Sequence, residues 1–348
     1  MINLSVRISL LLILTAFSIL FVVGLYAISM TSQKDEYSGG FTRKYPQGLS
    51  LRLVKSIDLP FNHHYLAGLS KDTIYVGTLE KPADIIAISI ASEQLSQRSI
   101  LLENISGITY QIDHPHAFVK DISNHKILLC HLDSLMTPVS ILEGVSFSDV
   151  IPLSLNEFTV RMLNDQMEFT LARVSKQQPI VYAPVLERQI DGKFCTDGML
   201  RYNKKSGRHV YVYYYRNEFI CLNVELDLMY KAHTLDTVSK ARIAVAQLAS
   251  TGELTLASPP RIVNKQCYVS EDHIYIHSLI RADNEATHEF NHRSFVDVYG
   301  LGNGDYAFSF SIPAYNGKTL KDFAILEGSL IVLYPQHLCY YRFDYDMH

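Results

Sequence analysis

Beyond residue 48 the chain alternates short apolar runs with clusters of turn residues, at strand rather than helix spacing. "GMLRY" (198–202), "HVYVYYY" (209–215), "FICLNVEL" (219–226) and "MYKAHTL" (229–235) are each of strand length, and turn-forming residues separate each from the next. The second run puts His209, Tyr211, Tyr213 and Tyr215 on one face and Val210, Val212, Tyr214 and Arg216 on the other. A strand wetted on one side alternates apolar with polar residues. This one does not, so both faces must be covered, and Tyr211, Tyr213, Tyr214 and Tyr215 are assigned to packing between sheets. An antiparallel meander covered on both faces is what a propeller blade is.

The pattern repeats. Comparable meanders run over 64–102, 148–186 and 262–313, with an irregular one over 116–142. The last unit, 322–343, holds only three runs. "LSLRLVKSIDLP" (49–60) can supply its fourth strand, closing the ring and removing its open edges. Six units of roughly 50 residues suit a propeller. The reading is therefore an all-β, six-bladed β-propeller over 49–348, with a pair of β-sandwiches as the alternative. One stretch, "VSKARIAVAQLA" (238–249), has the spacing of an amphipathic helix.

The arrangement resembles the TolB-like six-bladed propeller families of exported bacterial proteins, and within them an uncharacterised membrane-associated group from Gram-negative bacteria. The residues that carry it are "DGMLRYNKKSGRHVYVYYYRNEFICLN" (197–223), "HTLDT" (233–237), "RIVNKQCYV" (261–269), "FVDVY" (295–299) and "YAFSFSIP" (306–313). The resemblance implies export and a propeller fold; it implies no reaction.

The N-terminus differs in kind. No charged residue occurs from Ile8 to Gln33, and Lys34, Asp35 and Glu36 follow. About 20 apolar residues span a bilayer as a helix. The run exceeds an ordinary signal-peptide core of about 7–15 residues, so residues 1–33 are expected to be a retained signal-anchor, a transmembrane helix. Cleavage after the small residues Ala27 to Ser29 is the alternative. Either reading exports the rest, to an inner-membrane protein with a periplasmic C-terminal domain or to a free periplasmic one. Residues 34–48, polar and rich in Gly and Tyr, read as a linker.

Charge adds little beyond exclusion. Thirty-one basic and 35 acidic residues are spread along the chain, whereas a nucleic-acid face needs concentrated positive charge; no nucleic-acid partner is expected. The five cysteines lack paired spacing, so buried free thiols are expected rather than a disulfide framework or a zinc ribbon.

Catalytic patterns are thin. "HEFNH" (288–292) matches H-E-x-x-H, which works when a helix presents both histidines to one metal. Its polar flanks predict a solvated loop instead. His273 and His277 share one side of a strand but lie about 13 Å apart along it, too far for one metal. "DHPH" (113–116) and "NHH" (62–64) are placed before the inner strands of two blades. Asp72, Asp197, Asp272 and Asp322 fall near inner-strand ends, where Asp commonly makes turns. There is no nucleophile elbow and no phosphate-binding glycine motif. No cofactor or metal is assigned.

What remains is a rim. Links between blades share one edge of the ring with each blade's second-to-third-strand turn. That edge collects 60–64, 187–197, 216–218, 236–260, 281–293 and 313–318. Loops on a rigid scaffold are where binding usually sits. Candidate ligand contacts are Arg216, Asn217, Asp197, His63, His64, His116, His288 and His292. The expected function is a membrane-anchored module that binds a protein, peptide or small ligand without catalysis. The alternative is a metal-dependent, lactonase-type hydrolase acting at the channel mouth.

Overall fold

The computed structural model describes residues 4–35, 40–92, 94–101, 107–134, 137–248, 250, 252 and 254–345. Within them the chain forms six four-stranded antiparallel sheets. Blade 1 runs through His64–Leu69, Thr73–Thr78, Asp84–Ser89 and Leu95–Ser99. Blade 2 comprises Ile108–Asp113, His116–Asp121, Lys126–His131 and Val139–Glu143; blade 3 comprises Asp149–Pro152, Glu157–Leu163, Phe169–Ser175 and Val181–Ala183. Blade 4 takes Gly198–Asn203, Arg208–Tyr213, Glu218–Leu222 and Leu228–His233, and blade 5 takes Asn264–Val269, His273–Ser278, Arg293–Gly300 and Tyr306–Pro313. Blade 6 is made of Asp322–Leu326, Ser329–Leu333 and His337–Tyr345, with Leu49–Asp58 as its outer strand. That last strand pairs from Leu49↔Tyr345 to Asp58↔His337, with a register shift between Leu53 and Lys55. The two ends of the ring thus share one sheet. First strands contact one another around the axis between blades 1 and 2, 3 and 4, 4 and 5, 5 and 6, and 6 and 1.

The tyrosine-rich strand shows why the blades stack. Tyr211 and Tyr213 face blade 3, packing with Ile151, Leu171 and Leu200, and neither is exposed. Val210 and Val212 face blade 5, against Cys267, Val269, Ile274 and Ile276. The buried hydroxyls are satisfied: Tyr211 donates to the Thr196 carbonyl at 2.7 Å, and Tyr213 accepts from the Glu187 amide at 3.1 Å. The strand ends at Tyr213, two residues sooner than its apolar pattern suggests. The Tyr214 carbonyl turns away to accept the Val263 and Asn264 amides of the next blade, so Tyr214 and Tyr215 are half-buried turn residues.

Each seam between blades carries a polar stitch near the axis. The Tyr110 amide donates to Tyr65 Oη at 2.8 Å between blades 1 and 2. Lys120 faces Asp149 at 3.8 Å between blades 2 and 3. Arg161 reaches Asp197 and the Gly198 carbonyl of blade 4. Arg201 donates to the Cys267 carbonyl at 2.8 Å, Gln266 to the Lys321 carbonyl at 3.0 Å, and the Leu66 amide to Asp322 at 3.2 Å, which completes the circle. At the first seam the backbones approach so closely that a Cβ on Gly68 would lie 2.2 Å from the Ile112 carbonyl oxygen. Only glycine fits there.

Three local expectations are corrected. The stretch 238–248 is not a helix, and residue 249 lies outside the described residues. Val245–Gln247 pairs with Leu254–Leu256 as a hairpin projecting from the link between blades 4 and 5. Gly252, at φ +72°, supplies the left-handed residue the turn needs, and Gln247 Nε2 donates to its carbonyl. "HEFNH" is not a loop but lies in a six-residue helix, Thr287–His292. Phe290 stacks on Phe295 at 5.4 Å and holds this turn to blade 5. The 113–116 segment follows the inner strand of blade 2 rather than preceding it, because the apolar run begins earlier, at Ile108.

The N-terminal helix runs Leu4–Asp35. Its described side chains from Leu10 to Tyr26 are apolar on every side except Thr15 and Ser18, whose hydroxyls donate to carbonyls four residues back. Nearly all are exposed. Counting only its described side chains, at Ile8 and from Leu10 to Tyr26, this helix is not long and apolar enough to cross a membrane.

The segment after it does not run free. Residues from Gly40 form a strap laid into blade 5. Arg43 is buried and donates to both oxygens of Glu285 at 2.8 Å, to Asp297 at 2.7 and 3.2 Å, and to the Ile280 carbonyl at 3.1 Å. Its guanidinium lies between Phe41 and Phe295, 5.2 and 5.4 Å from their ring centres. Burial works against its charge, but the two carboxylates together outweigh it and raise its pKa. The Ser309 amide donates to the Lys44 carbonyl and the Asp283 amide to the Phe41 carbonyl, both at 2.8 Å, which fixes the strap.

Candidate functional site

Antiparallel strands send successive turns to opposite ends of the ring. The upper rim holds the links between blades and the second-to-third-strand turns; the lower rim holds the others. This sorts the sequence-derived candidates. His63, His64, Asp197, Arg216, Asn217, His288 and His292 belong to the upper rim, and His116 to the lower. They do not converge.

Arg216 is fully buried. It donates to the carbonyls of Cys195 and Glu187 at 3.0 Å, approaches Glu218 at 3.2 Å, and stacks on Tyr213 with its guanidinium carbon 3.5 Å from the ring centre. Asn217 is buried and donates to the Asp236 carbonyl at 2.5 Å. Both pin interblade links and present no surface to a ligand. Asp197 is engaged by Arg161 and by the Gly198 amide. His63 is exposed beside Glu80 at 2.9 Å, whereas burial next to Phe61 lowers the pKa of His64. His288 and His292 are exposed, their rings 4.5 Å apart, and His292 Nδ1 bonds the His288 carbonyl. His116 lies edge-on to His131 at 5.7 Å on adjacent strands of blade 2. Asp72 and Asp272 occupy lower turns while Asp197 and Asp322 stand at the upper ends of inner strands, so these carboxylates form no single set. Burial raises the pKa of Asp322, which accepts the Leu66 and Phe323 amides. Among the described residues, no group of three or more His, Cys, Asp or Glu side chains could hold a metal. The five cysteines are free and buried.

A cleft opens elsewhere, on the lower half of the seam between blades 1 and 2. Its volume is about 320 Å³, within the range of small-ligand sites. Ile85 and Ala87 line it with Thr73, Ser89, Gln94, Ser96 and Arg98 of blade 1 and with His114 and Asp133 of blade 2. Tyr75 links the two walls: its hydroxyl lies 3.0 Å from His114 Nδ1, with the rings stacked at 6.2 Å. Burial raises the Tyr75 pKa, so the phenol stays protonated. His114 Nε2 faces Asp133 at 3.8 Å. Arg98 is exposed and donates to the Leu132 carbonyl. The result is a polar-walled recess with both donors and acceptors, oriented but only part-buried. A phenol held protonated suits hydrogen bonding better than nucleophilic attack.

In the sequence only the 113–116 turn marked this place. Tyr75 and Arg98 read as ordinary strand residues, and nothing linear joins them to His114. The signal is the juxtaposition of neighbouring blades.

No family model matches the chain, and no curated protein matches it by sequence. Solved structures do match in fold. A member of the DUF4221 family from Bacteroides vulgatus aligns at a TM-score of 0.51 and 12% identity over 86% of this chain and 99% of that one. Streptogramin B lyase aligns at 0.51 and 6% identity over 85% and 98%. BamB from Moraxella catarrhalis aligns at 0.43 and 10% identity over 84% and 100%. At such identities the first two support the six-bladed propeller fold and nothing further.

Proposed function

We propose that this chain is a membrane-anchored binding module that takes a partner protein, through a polar peptide segment, in the lower-rim cleft between blades 1 and 2. The observation that carries this is the cleft itself, where Tyr75, Arg98, His114 and Asp133 converge beside an apolar wall of Ile85 and Ala87. Its volume admits one or two side chains rather than a folded domain. An extended segment laid across the lower rim can fill it while pairing with Arg98 and Asp133. Ligand sites with few polar groups on an apolar wall gain orientation from those groups and affinity from the wall.

Anchoring is part of the proposal. The uncharged run from Ile8 to Gln33 is long enough in sequence to span a bilayer, and a helix apolar on every side needs an apolar surrounding. With Arg7 on the near side, the propeller lies outside the cytoplasm, in the periplasm of a Gram-negative envelope. The tyrosine meander of blade 4 supports placing it with TolB-like exported propellers.

The test is a photo-cross-linking residue at Ser96 of the full-length chain in its source cells. A discrete adduct is expected, and it should disappear in Arg98→Ala while that variant melts like the parent. An adduct indifferent to Arg98→Ala, or none at all, rejects the cleft. Extraction of the chain by alkaline carbonate would reject the anchor separately.

A further inference from the structure

We infer that the upper rim beside the strap rests on the bilayer surface, so that the lower rim and its cleft face away from the membrane. This rests on the anchored reading above. The argument begins with chain length. The helix ends at Asp35, and the strap is fixed to blade 5 from Gly40 onward, where the Gly40 amide donates to Asp283 at 3.3 Å. Five residue steps reach at most about 18 Å. Lys34 and Asp35 are the first charged residues after the apolar run and mark the membrane–water interface. The upper rim at blades 4 and 5 therefore lies within about 18 Å of the bilayer. A folded domain of about 100 residues is about 30 Å across and does not fit that gap. The occupant is the membrane surface.

The rim there is built to meet it. Phe41 of the strap packs among Val263, Ile280 and Ala282, with Leu235 and Val238 against it. The upper-rim links on this side carry exposed apolar side chains: Ile190 (49%), Leu248 (43%), Leu254 (43%) and Ile262 (40%). They belong to loops tied together. Gln189 donates to the Ser239 carbonyl and accepts from the Ala241 amide, both at 2.9 Å, joining the link that carries Ile190 to the link that carries the hairpin. The exposed cation Lys240 lies in the link that carries the hairpin. Exposed apolar side chains beside a lysine suit a surface that lies in the headgroup region. Arg43 makes the orientation rigid, since its buried ion pairs prevent the strap from peeling off to lengthen the tether.

The test uses the full-length chain in vesicles of phosphatidylcholine and phosphatidylglycerol. A fluorophore is placed on cysteine at Ile190→Cys or Leu254→Cys on the upper rim, and at Val139→Cys on the lower rim; the five native thiols are buried. Lipids carrying a nitroxide near the headgroup quench labels close to the surface. Several-fold stronger quenching at Ile190 and Leu254 than at Val139 is expected. Equal quenching at both rims, or stronger quenching at Val139, overturns the orientation. Weak quenching at all three positions, with the same upper labels shielded in native membranes, would overturn it too and assign the rim to an integral membrane protein. A chain that does not float with the vesicles refutes the anchor on which the inference stands.

Discussion

Blades 4 and 5 and blades 1 and 2 meet the same geometric problem, a seam between two twisted sheets, and solve it differently. Between blades 4 and 5 the upper seam is filled by a segment from outside the ring. The strap brings Phe41 and Arg43, and Arg43 is buried and paired with Glu285 and Asp297. Among the described residues, no such segment arrives between blades 1 and 2. The seam closes near the axis through Gly68 and Tyr65, then parts below into the cleft, where His114 and Asp133, set against the buried Tyr75, remain open to solvent on one side. Buried polar groups rigidify when fully satisfied. Polar groups that are aligned yet half-wet are free to exchange water for a ligand. The filled seam is scaffold, and the parted one is where binding is affordable.

The contrast is broken most directly at the strap. Arg43→Ala leaves Glu285 and Asp297 buried without their cation, and loss of one member of a buried ion pair costs about 3–5 kcal/mol. Chemical denaturation should show that loss, with amide exchange rising first in blade 5; a change below about 1 kcal/mol would mean the strap is ornamental.

Acid should act on the same side. His209, between Thr159 Oγ1 and the Asn223 carbonyl, has its pKa pushed down to about 4, and His277 to about 3, both by burial. Because the folded values lie below the unfolded value of 6.5, the neutral rings stabilise the fold fully above pH 6.5. That contribution falls as pH drops from 6.5 toward 4 and 3, by about 1.4 kcal/mol per pH unit for each histidine. Stability measured at pH 7 and pH 5 should differ by about 2 kcal/mol for each ring, and His209→Gln should shrink the difference. A flat profile would show that neither ring is sealed from water.

On the other side the effects are smaller. Tyr65→Phe removes the acceptor of the Tyr110 amide at the first seam and should cost about 1–2 kcal/mol, read as a lower melting temperature. His114→Ala should change stability by less than about 0.5 kcal/mol, because the ring is 41% exposed, while weakening capture of the partner at Ser96. A large loss of stability in His114→Ala would make the cleft scaffold after all and erase the comparison.

Much of the fold was legible because blades are local. The meander around Tyr211 announces itself by being apolar on both faces, and the missing fourth strand of the last unit points to Leu49–Asp58. Errors came where local pattern met a distant partner. Val238–Ala249 has helical spacing, but Gly252 and the pairing of Val245 with Leu256 turn it into a hairpin. His288–His292 looked too polar for a helix until Phe290 found Phe295. Arg216 and Asn217 read as rim residues by position, and the interblade links closed over them.

By itself the sequence determined the strand length, the sixfold repetition, the covered faces and the apolar N-terminal run, because each is set by residues near one another in the chain. Only the tertiary structure decided which polar residues are spent on closure and which stay available. That choice depends on groups far apart in sequence, Arg43 with Glu285 and Tyr75 with His114. Whether a seam is filled by a passing segment or left open is a matter of packing volume, which no linear pattern records.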